Sequence, residues 1–147
     1  MGRKWKVLFL YTANSSRSQM AQGFLRSLAG NKYDAQSAGI SPSILNPLAV
    51  RVMQEIGIDI SKQNSKSVEV CLKEKFDYII TVCENARETC PNFPGGANKS
   101  YWSFEDPANS SGDEDEKMKG FRKVRDQIAE KIRGFIKIAP EPPSRGR

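Results

Sequence analysis

Histidine is absent from this chain of 147 residues, and cysteine occurs only three times. Without histidine, the chain cannot build a serine–histidine nucleophile pair or complete a mixed cysteine–histidine zinc site. Three cysteines without a paired framework are also not the pattern of a disulfide-stapled secreted domain. The composition therefore favours a protein of the reducing cytoplasm, and we predict neither a metal nor a cofactor.

Long apolar runs and internal repeats are missing as well. No apolar stretch approaches membrane-spanning length, and the one within MGRKWKVLFLYT is too short for a signal peptide. The net charge of +6 comes from lysines and arginines spread along the chain, without a nucleic-acid motif. We therefore expect neither a membrane nor a nucleic acid as partner, whereas a modest positive bias suits oxyanions.

The order of the patterns predicts an α/β fold. Apolar strand-like runs alternate with stretches of helical spacing, notably a helix that starts at Asn46-Pro47 and a long amphipathic helix over 117–137. Such alternation implies a single domain with a parallel sheet covered on both faces. We predict this domain over residues 1–138, followed by a disordered proline-rich tail over 139–147.

Residues 7–18, VLFLYTANSSRS, have the layout of a loop that binds phosphate. An apolar strand leads through small polar residues into a helix start, where free N–H groups and the helix dipole favour an anion. Arg17 adds a planar fork of donors for a tetrahedral oxyanion. An ordinary strand–loop–helix connection with a surface arginine is the alternative. The candidate oxyanion-binding residues are Thr12, Ala13, Asn14, Ser15, Ser16, Arg17 and Ser18.

The second candidate window is TVCENARETCP, residues 81–91. Cys83 and Cys90 lie seven positions apart, after an apolar run whose carboxyl end is where sites form in α/β proteins. If the intervening turn partly unwinds, the two sulfurs can approach bonding distance. The alternative is a core cysteine followed by an incidental surface thiol. Cys71 has no partner pattern, and we interpret it as a packing residue.

Asp106 is the third candidate. It stands before Pro107, after an aromatic stretch, so that proline rigidifies the segment that displays the carboxylate. An aspartate held over an anion loop can act as a general acid for a leaving oxygen, although Asp-Pro also commonly supplies a turn or a cap. The acidic run over 113–116 is expected to open the last helix, where it complements the dipole.

Together these windows resemble the thioredoxin-coupled arsenate reductases, which share the low-molecular-weight protein tyrosine phosphatase fold. The resemblance covers roughly residues 5–137. Its blocks are NSSRSQMAQGF (14–24), SAGI (37–40), NPLAVRVMQEIGIDIS (46–61), the Cys83/Cys90 window, FPG (93–95), W-x-F-x-DPA (102–108) and FRKVRDQI (121–128). It implies a four-stranded parallel sheet with helices on both faces, and an anion loop between the first strand and the first helix.

The resemblance also implies a role for each candidate. The family's nucleophilic cysteine maps to Tyr11, and its second loop cysteine maps to Ser16. Cys83 and Cys90 match the pair that resolves the arseno-thiol intermediate and ends as a disulfide for a thioredoxin-like reductant. Asp106 matches the general acid of the phosphatase-type half reaction. Some members bind potassium near the loop, but the counterparts here are Gln22 and Lys66, which puts that site in doubt.

The missing nucleophile sets the functional expectation. A tyrosine hydroxyl has an ordinary pKa of about 10 and cannot pass through the redox states of a thiolate. We expect a monomeric protein related to enzymes that reduce arsenate to arsenite, with its own turnover lost or impaired. Arsenate, phosphate or a similar oxyanion is the expected ligand. A non-catalytic module that binds oxyanions or phosphoproteins on the phosphatase scaffold is the alternative.

Overall fold

The computed structural model describes residues 4–11, 16–40, 43–83, 98–107 and 112–138. Over residues 4–83, strands alternate with helical segments as the sequence predicts, and a further strand and a long helix follow. The elements are β1 (Trp5–Tyr11), α1 (Arg17–Ala29), β2 (Tyr33–Gly39), α2 (Pro47–Gln54), a short 3-10 helix (Val68–Cys71), β3 (Tyr78–Cys83), β4 (Asn98–Ser103) and α3 (Glu114–Ile138). The tail predicted over 139–147 lies outside the described residues.

The four strands form one parallel sheet in the order β2-β1-β3-β4. β1 is therefore central, and its side chains alternate between two apolar cores. Val7 and Phe9 belong to the larger core, whereas Leu8 and Leu10 belong to the smaller one. Burial on both faces explains why β1 appears in the sequence as a continuous apolar run. The predicted fold class is confirmed.

Helical segments cover both faces of this sheet. Apolar residues of α1, α2 and α3 pack into the larger core, while Cys71 of the 3-10 helix and Phe76 close the smaller one. Cys71 is 1% exposed, and its burial raises the pKa of the thiol. The interpretation of Cys71 as a packing residue is confirmed. Within the described residues, no helix has both the length and the apolar character that crossing a membrane requires.

The ends of the helices follow the local sequence. Asn46 caps α2 through its Oδ1, which accepts from Leu48 N at 2.9 Å, and Pro47 occupies the first turn as predicted. α2 ends at Gln54, and the chain then turns at Gly57, whose φ of 82° is in the left-handed region. α3 begins at Glu114 with three acidic residues in its first turn, which confirms the expectation for that run.

An ion cluster joins the carboxyl end of α2 to α3. Glu55 accepts from Arg122 Nη2 at 2.8 Å and from Arg125 Nη1 at 2.9 Å. Arg125 Nη1 also donates to Val52 O at 2.9 Å, so its largely buried guanidinium satisfies a backbone carbonyl of α2. The hydrogen bond from Arg122, with further support from Arg125, lowers the pKa of Glu55 below its ordinary value of 4.5.

Replacing Glu55 with glutamine is expected to destabilise the fold more at pH 7 than at pH 3. Because the folded state lowers the pKa of Glu55, its contribution is present above pH 4.5 and is lost as pH falls through the folded value. Urea denaturation of both proteins at the two pH values measures this. Glu130→Gln is the matched control, because Glu130 reaches Arg133 only at 3.9 Å. An equal loss of stability at both pH values would contradict the prediction.

Candidate functional site

The predicted site residues gather at the carboxyl edge of the sheet. Tyr11 ends β1 and is paired with Gly39 of β2, while Cys83 ends β3 and is paired with Ser103 of β4. β1 and β3 are neighbours in the sheet. The chain segments that leave these strands therefore start from one edge, where α/β proteins place their ligands.

Arg17 is the first residue of α1, and its side chain is 1% exposed. The alternative interpretation as a surface arginine is therefore excluded. A buried guanidinium needs partners, since removing a charge from water is costly. Two of these partners lie directly after β4. Nη1 donates to Phe104 O at 2.7 Å, and Nη2 lies 3.6 Å from Asp106 Oδ2.

Asp106 thus approaches Arg17 from the segment that follows β4. Its side chain is 25% exposed, so it lies between solvent and the buried guanidinium. The sequence suggested this aspartate through the Asp-Pro dipeptide. It gave no signal for Phe104, which takes part through its backbone carbonyl and therefore independently of side-chain identity.

The ring of Tyr11 lies against the same guanidinium. Arg17 Cζ is 4.1 Å from the centroid of the ring, a cation–π distance. Tyr11 is half-buried at the end of its strand. The ring of Tyr11 therefore occupies one face of the Arg17 guanidinium.

Ser16 and Ser18 flank Arg17 and are both buried. Ser16 precedes α1, and its backbone carbonyl accepts from Met20 N at 2.8 Å. Its Oγ is buried without a hydrogen-bond partner among the residues that the structure describes. A buried hydroxyl of this kind is costly unless a further group meets it, so Ser16 Oγ offers a polar group beside Arg17 that no described residue satisfies.

A buried pair of glutamines supports the first turn of α1. Gln63 Nε2 donates to Gln19 O at 3.0 Å and to Gln19 Oε1 at 2.8 Å. Gln19 follows Arg17 and Ser18 on the helix, so this contact fixes the turn on which they stand. Sequence reasoning missed Gln63, because an isolated glutamine outside any motif carries no signal of burial.

Several predicted site residues are not among those that the structure describes. Thr12, Ala13, Asn14 and Ser15 fall outside the described residues, as does Cys90. The backbone of Cys83 is placed at the end of β3. The roles predicted for residues 12–15, Cys83 and Cys90 remain predictions.

The residues at the potassium position of the resemblance do not fit a cation site. Gln22 Oε1 accepts from Ser37 Oγ at 2.5 Å, and Lys66 Nζ donates to Gln36 Oε1 at 3.0 Å. Neither Gln22 nor Lys66 carries a negative charge, and the lysine ammonium repels another cation. Gln22 and Lys66 are therefore not suited to holding a potassium ion.

Comparison with known proteins relates this chain to the low molecular weight phosphatases and to arsenate reductases. Residues 6–141 match the family model described as low molecular weight phosphotyrosine protein phosphatase. An arsenate reductase of Halalkalibacterium halodurans is 43% identical over 129 residues, which cover 88% of this chain and 93% of the relative.

Solved structures of arsenate reductases also match this chain. A structure titled as an arsenate reductase in the phosphate binding state matches with a TM-score of 0.78 and 34% identity, covering 92% of this chain and 99% of the other. A thioredoxin-dependent arsenate reductase of Corynebacterium glutamicum matches with a TM-score of 0.70 and 27% identity, covering 91% of this chain and 61% of that one.

Proposed function

Because this chain belongs to the arsenate reductases of the low molecular weight phosphatase family, we propose that it binds arsenate or phosphate at Arg17 but reduces arsenate poorly or not at all. One observation carries the proposal. The buried Arg17 stands at the start of α1 with Asp106 within 3.6 Å, while the preceding strand ends in Tyr11.

The binding half of the proposal follows from the chemistry of this corner. A helix start offers N–H donors and the positive end of the dipole, and guanidinium adds paired donors that match a tetrahedral oxyanion. The residues of the predicted loop, 12–16, connect β1 to α1 and end beside Arg17. An oxyanion bound by this loop would bring acceptor oxygens next to the buried Ser16 hydroxyl.

The catalytic half concerns the first bond. Reduction of arsenate to arsenite takes two electrons, which a pair of thiols supplies on closing to a disulfide. In the proposed cascade a loop thiolate first bonds to arsenic, and Cys83 and Cys90 then resolve that adduct. Tyr11 cannot supply this thiolate, so the cascade stops before Cys83 is used. The dithiol itself remains able to cycle with a thioredoxin-like reductant.

The proposed cellular location follows from the chemistry of the same thiols. Cys83 and Cys90 work in such a cascade only if a reductant returns them to dithiols, which places the protein in a reducing cytoplasm. We propose a monomer there.

A binding module for phosphoproteins is the second candidate function, favoured by the combination of a retained Arg17 and a tyrosine at the nucleophile position.

Arg17→Lys is expected to weaken phosphate binding by at least about tenfold, because lysine cannot present two parallel donors to the anion. Phosphate titration followed by amide NMR signals measures the affinity, and thermal unfolding checks that the variant is folded. Arg26→Lys is the matched control on the same helix, since Arg26 lies near the other end of α1 and donates to Asp59 O. We expect that control to bind as the unaltered chain does.

Two results would overturn the proposal. The absence of any phosphate-induced shift at millimolar concentration in the unaltered chain would remove the binding site. Robust thioredoxin-coupled arsenate reduction by the same chain would remove the account of Tyr11.

A further inference from the structure

Three described groups surround the Arg17 guanidinium, to which an oxyanion would have to bind. Its Nη1 donates to Phe104 O, its Nη2 faces Asp106 Oδ2, and the Tyr11 ring covers one face. We propose that Asp106 acts as an internal competitor of the oxyanion, holding Arg17 in an arrangement that a bound anion must displace. This inference rests on the proposed oxyanion binding at Arg17.

The competition follows from shared chemistry. A carboxylate and a tetrahedral oxyanion use the same paired guanidinium donors, and both carry negative charge. An anion bound at Arg17 would lie close to Asp106, where repulsion opposes its entry. The unaltered chain therefore binds oxyanions more weakly than its arginine alone would allow.

The two contacts of Arg17 differ in how readily they can be released. The carbonyl of Phe104 is neutral and would lose a hydrogen bond at 2.7 Å, so this contact anchors the guanidinium. The carboxylate of Asp106 stands at 3.6 Å and is 25% exposed, so it can turn towards water at a small cost.

Pro107 limits how this release happens. A residue before proline has a restricted backbone, so the segment that carries Asp106 is stiff. Exchange between carboxylate and oxyanion therefore runs through rotation of the Asp106 side chain, while Phe104 keeps its hold on Arg17. The site binds an anion without rearrangement of the sheet edge.

This role is distinct from that of a general acid. Loss of a general acid lowers turnover and leaves binding of the ground-state anion little changed. Loss of a competitor instead tightens binding of that anion. Thiols do not reduce inorganic phosphate, so phosphate affinity can be measured in this chain without any turnover.

The test is isothermal titration of the full chain with inorganic phosphate, alongside Asp106→Asn and Asp106→Ala. We expect both variants to bind about fivefold more tightly than the unaltered chain, the size set by a partly exposed ion pair. Asp106→Ala is included because the amide oxygen introduced by Asp106→Asn can still accept a hydrogen bond from Arg17.

Glu105→Gln is the matched control for charge alone. Glu105 precedes Asp106 but pairs with Lys123 at 3.1 Å, on an exposed part of the surface. We expect its removal to change phosphate affinity by less than about twofold. Thermal unfolding of all four proteins establishes that each is folded at the titration temperature.

The outcomes separate this inference from the proposed function. Equal or weaker phosphate binding by both Asp106 variants, relative to Glu105→Gln, would overturn the competitor while leaving the binding site intact. Binding by the Asp106 variants alone, with none by the unaltered chain, would support the competitor strongly. No binding by any of the four proteins would overturn both.

Discussion

Arsenate reduction should appear when Tyr11 and Ser16 are both replaced by cysteine, at a rate at least about 100-fold above that of the unaltered chain. The estimate is conservative, because removing the nucleophile of a hydrolase lowers its turnover by roughly four to six orders of magnitude. A thiol at position 11 would end β1 beside Arg17 and the start of α1. Both features favour the thiolate, which is the attacking form.

The Tyr11 replacement also changes the space around Arg17. In the present chain the phenol ring lies 4.1 Å from the guanidinium carbon. Cysteine would uncover that face and place sulfur where the ring begins. Cysteine at position 16 is a close substitute for a buried serine whose hydroxyl has no hydrogen-bond partner among the described residues, so little stability should be lost.

Three controls assign the gain to the thiol cascade. Tyr11→Phe keeps a ring beside Arg17 without its hydroxyl and should show no reduction. Ser16→Cys alone should also be inactive, since no thiol then stands at the nucleophile position. Adding Cys83→Ser to the double variant should abolish multiple turnover, as the adduct would not be resolved. A thioredoxin-coupled assay of arsenite production reads all four proteins, and no gain in the double variant would contradict the prediction.

The second large effect concerns stability. Gly23→Ala is expected to destabilise the protein by about 1–3 kcal/mol, the usual range for overpacking a core. A Cβ at position 23 would lie 2.5 Å from Cγ2 of Ile60, which is fully buried. That methyl is bonded to the stiff β-branched carbon of its residue, so it cannot move aside without a shift of the backbone.

Gly134→Ala is the matched control in another helix. No atom lies within 4 Å of a Cβ at that position in α3, so the substitution removes only the entropic cost of glycine. We expect it to stabilise the protein by about 0.5–1 kcal/mol. Urea denaturation should therefore move the two midpoints in opposite directions. A stabilised Gly23→Ala variant would show that α1 and the segment around Ile60 are less closely packed than described.

How far the sequence determines this structure can be argued from β1 and α1. The apolar run over 7–10 and the helix start expected after the small polar residues correctly predicted β1 and α1. Apolar identity alone nevertheless does not determine burial. Leu28 lies near the end of α1 and Ile56 lies two residues after α2, and each is 45% exposed because the core does not extend over these positions.

The contacts of the candidate site were less predictable. Arg17 and Phe104 are 87 positions apart and meet through a backbone carbonyl. Neither local propensity nor charge pattern contains that information, since it arises from the parallel pairing of strands distant in sequence. The cation–π contact of Tyr11 is likewise a product of tertiary geometry. A resemblance of motifs supplied roles for these residues but not their distances.

The hydrogen bond from Arg17 to Phe104 has a consequence for how such a chain tolerates mutation. It ties the start of α1 to the chain that leaves β4, and its loss would strand a buried carbonyl. Arg17 is therefore held by folding as well as by any ligand. A descendant that lost all oxyanion chemistry would still be penalised for replacing this arginine, whereas the Ser16 hydroxyl, which has no hydrogen-bond partner among the described residues, carries no such penalty.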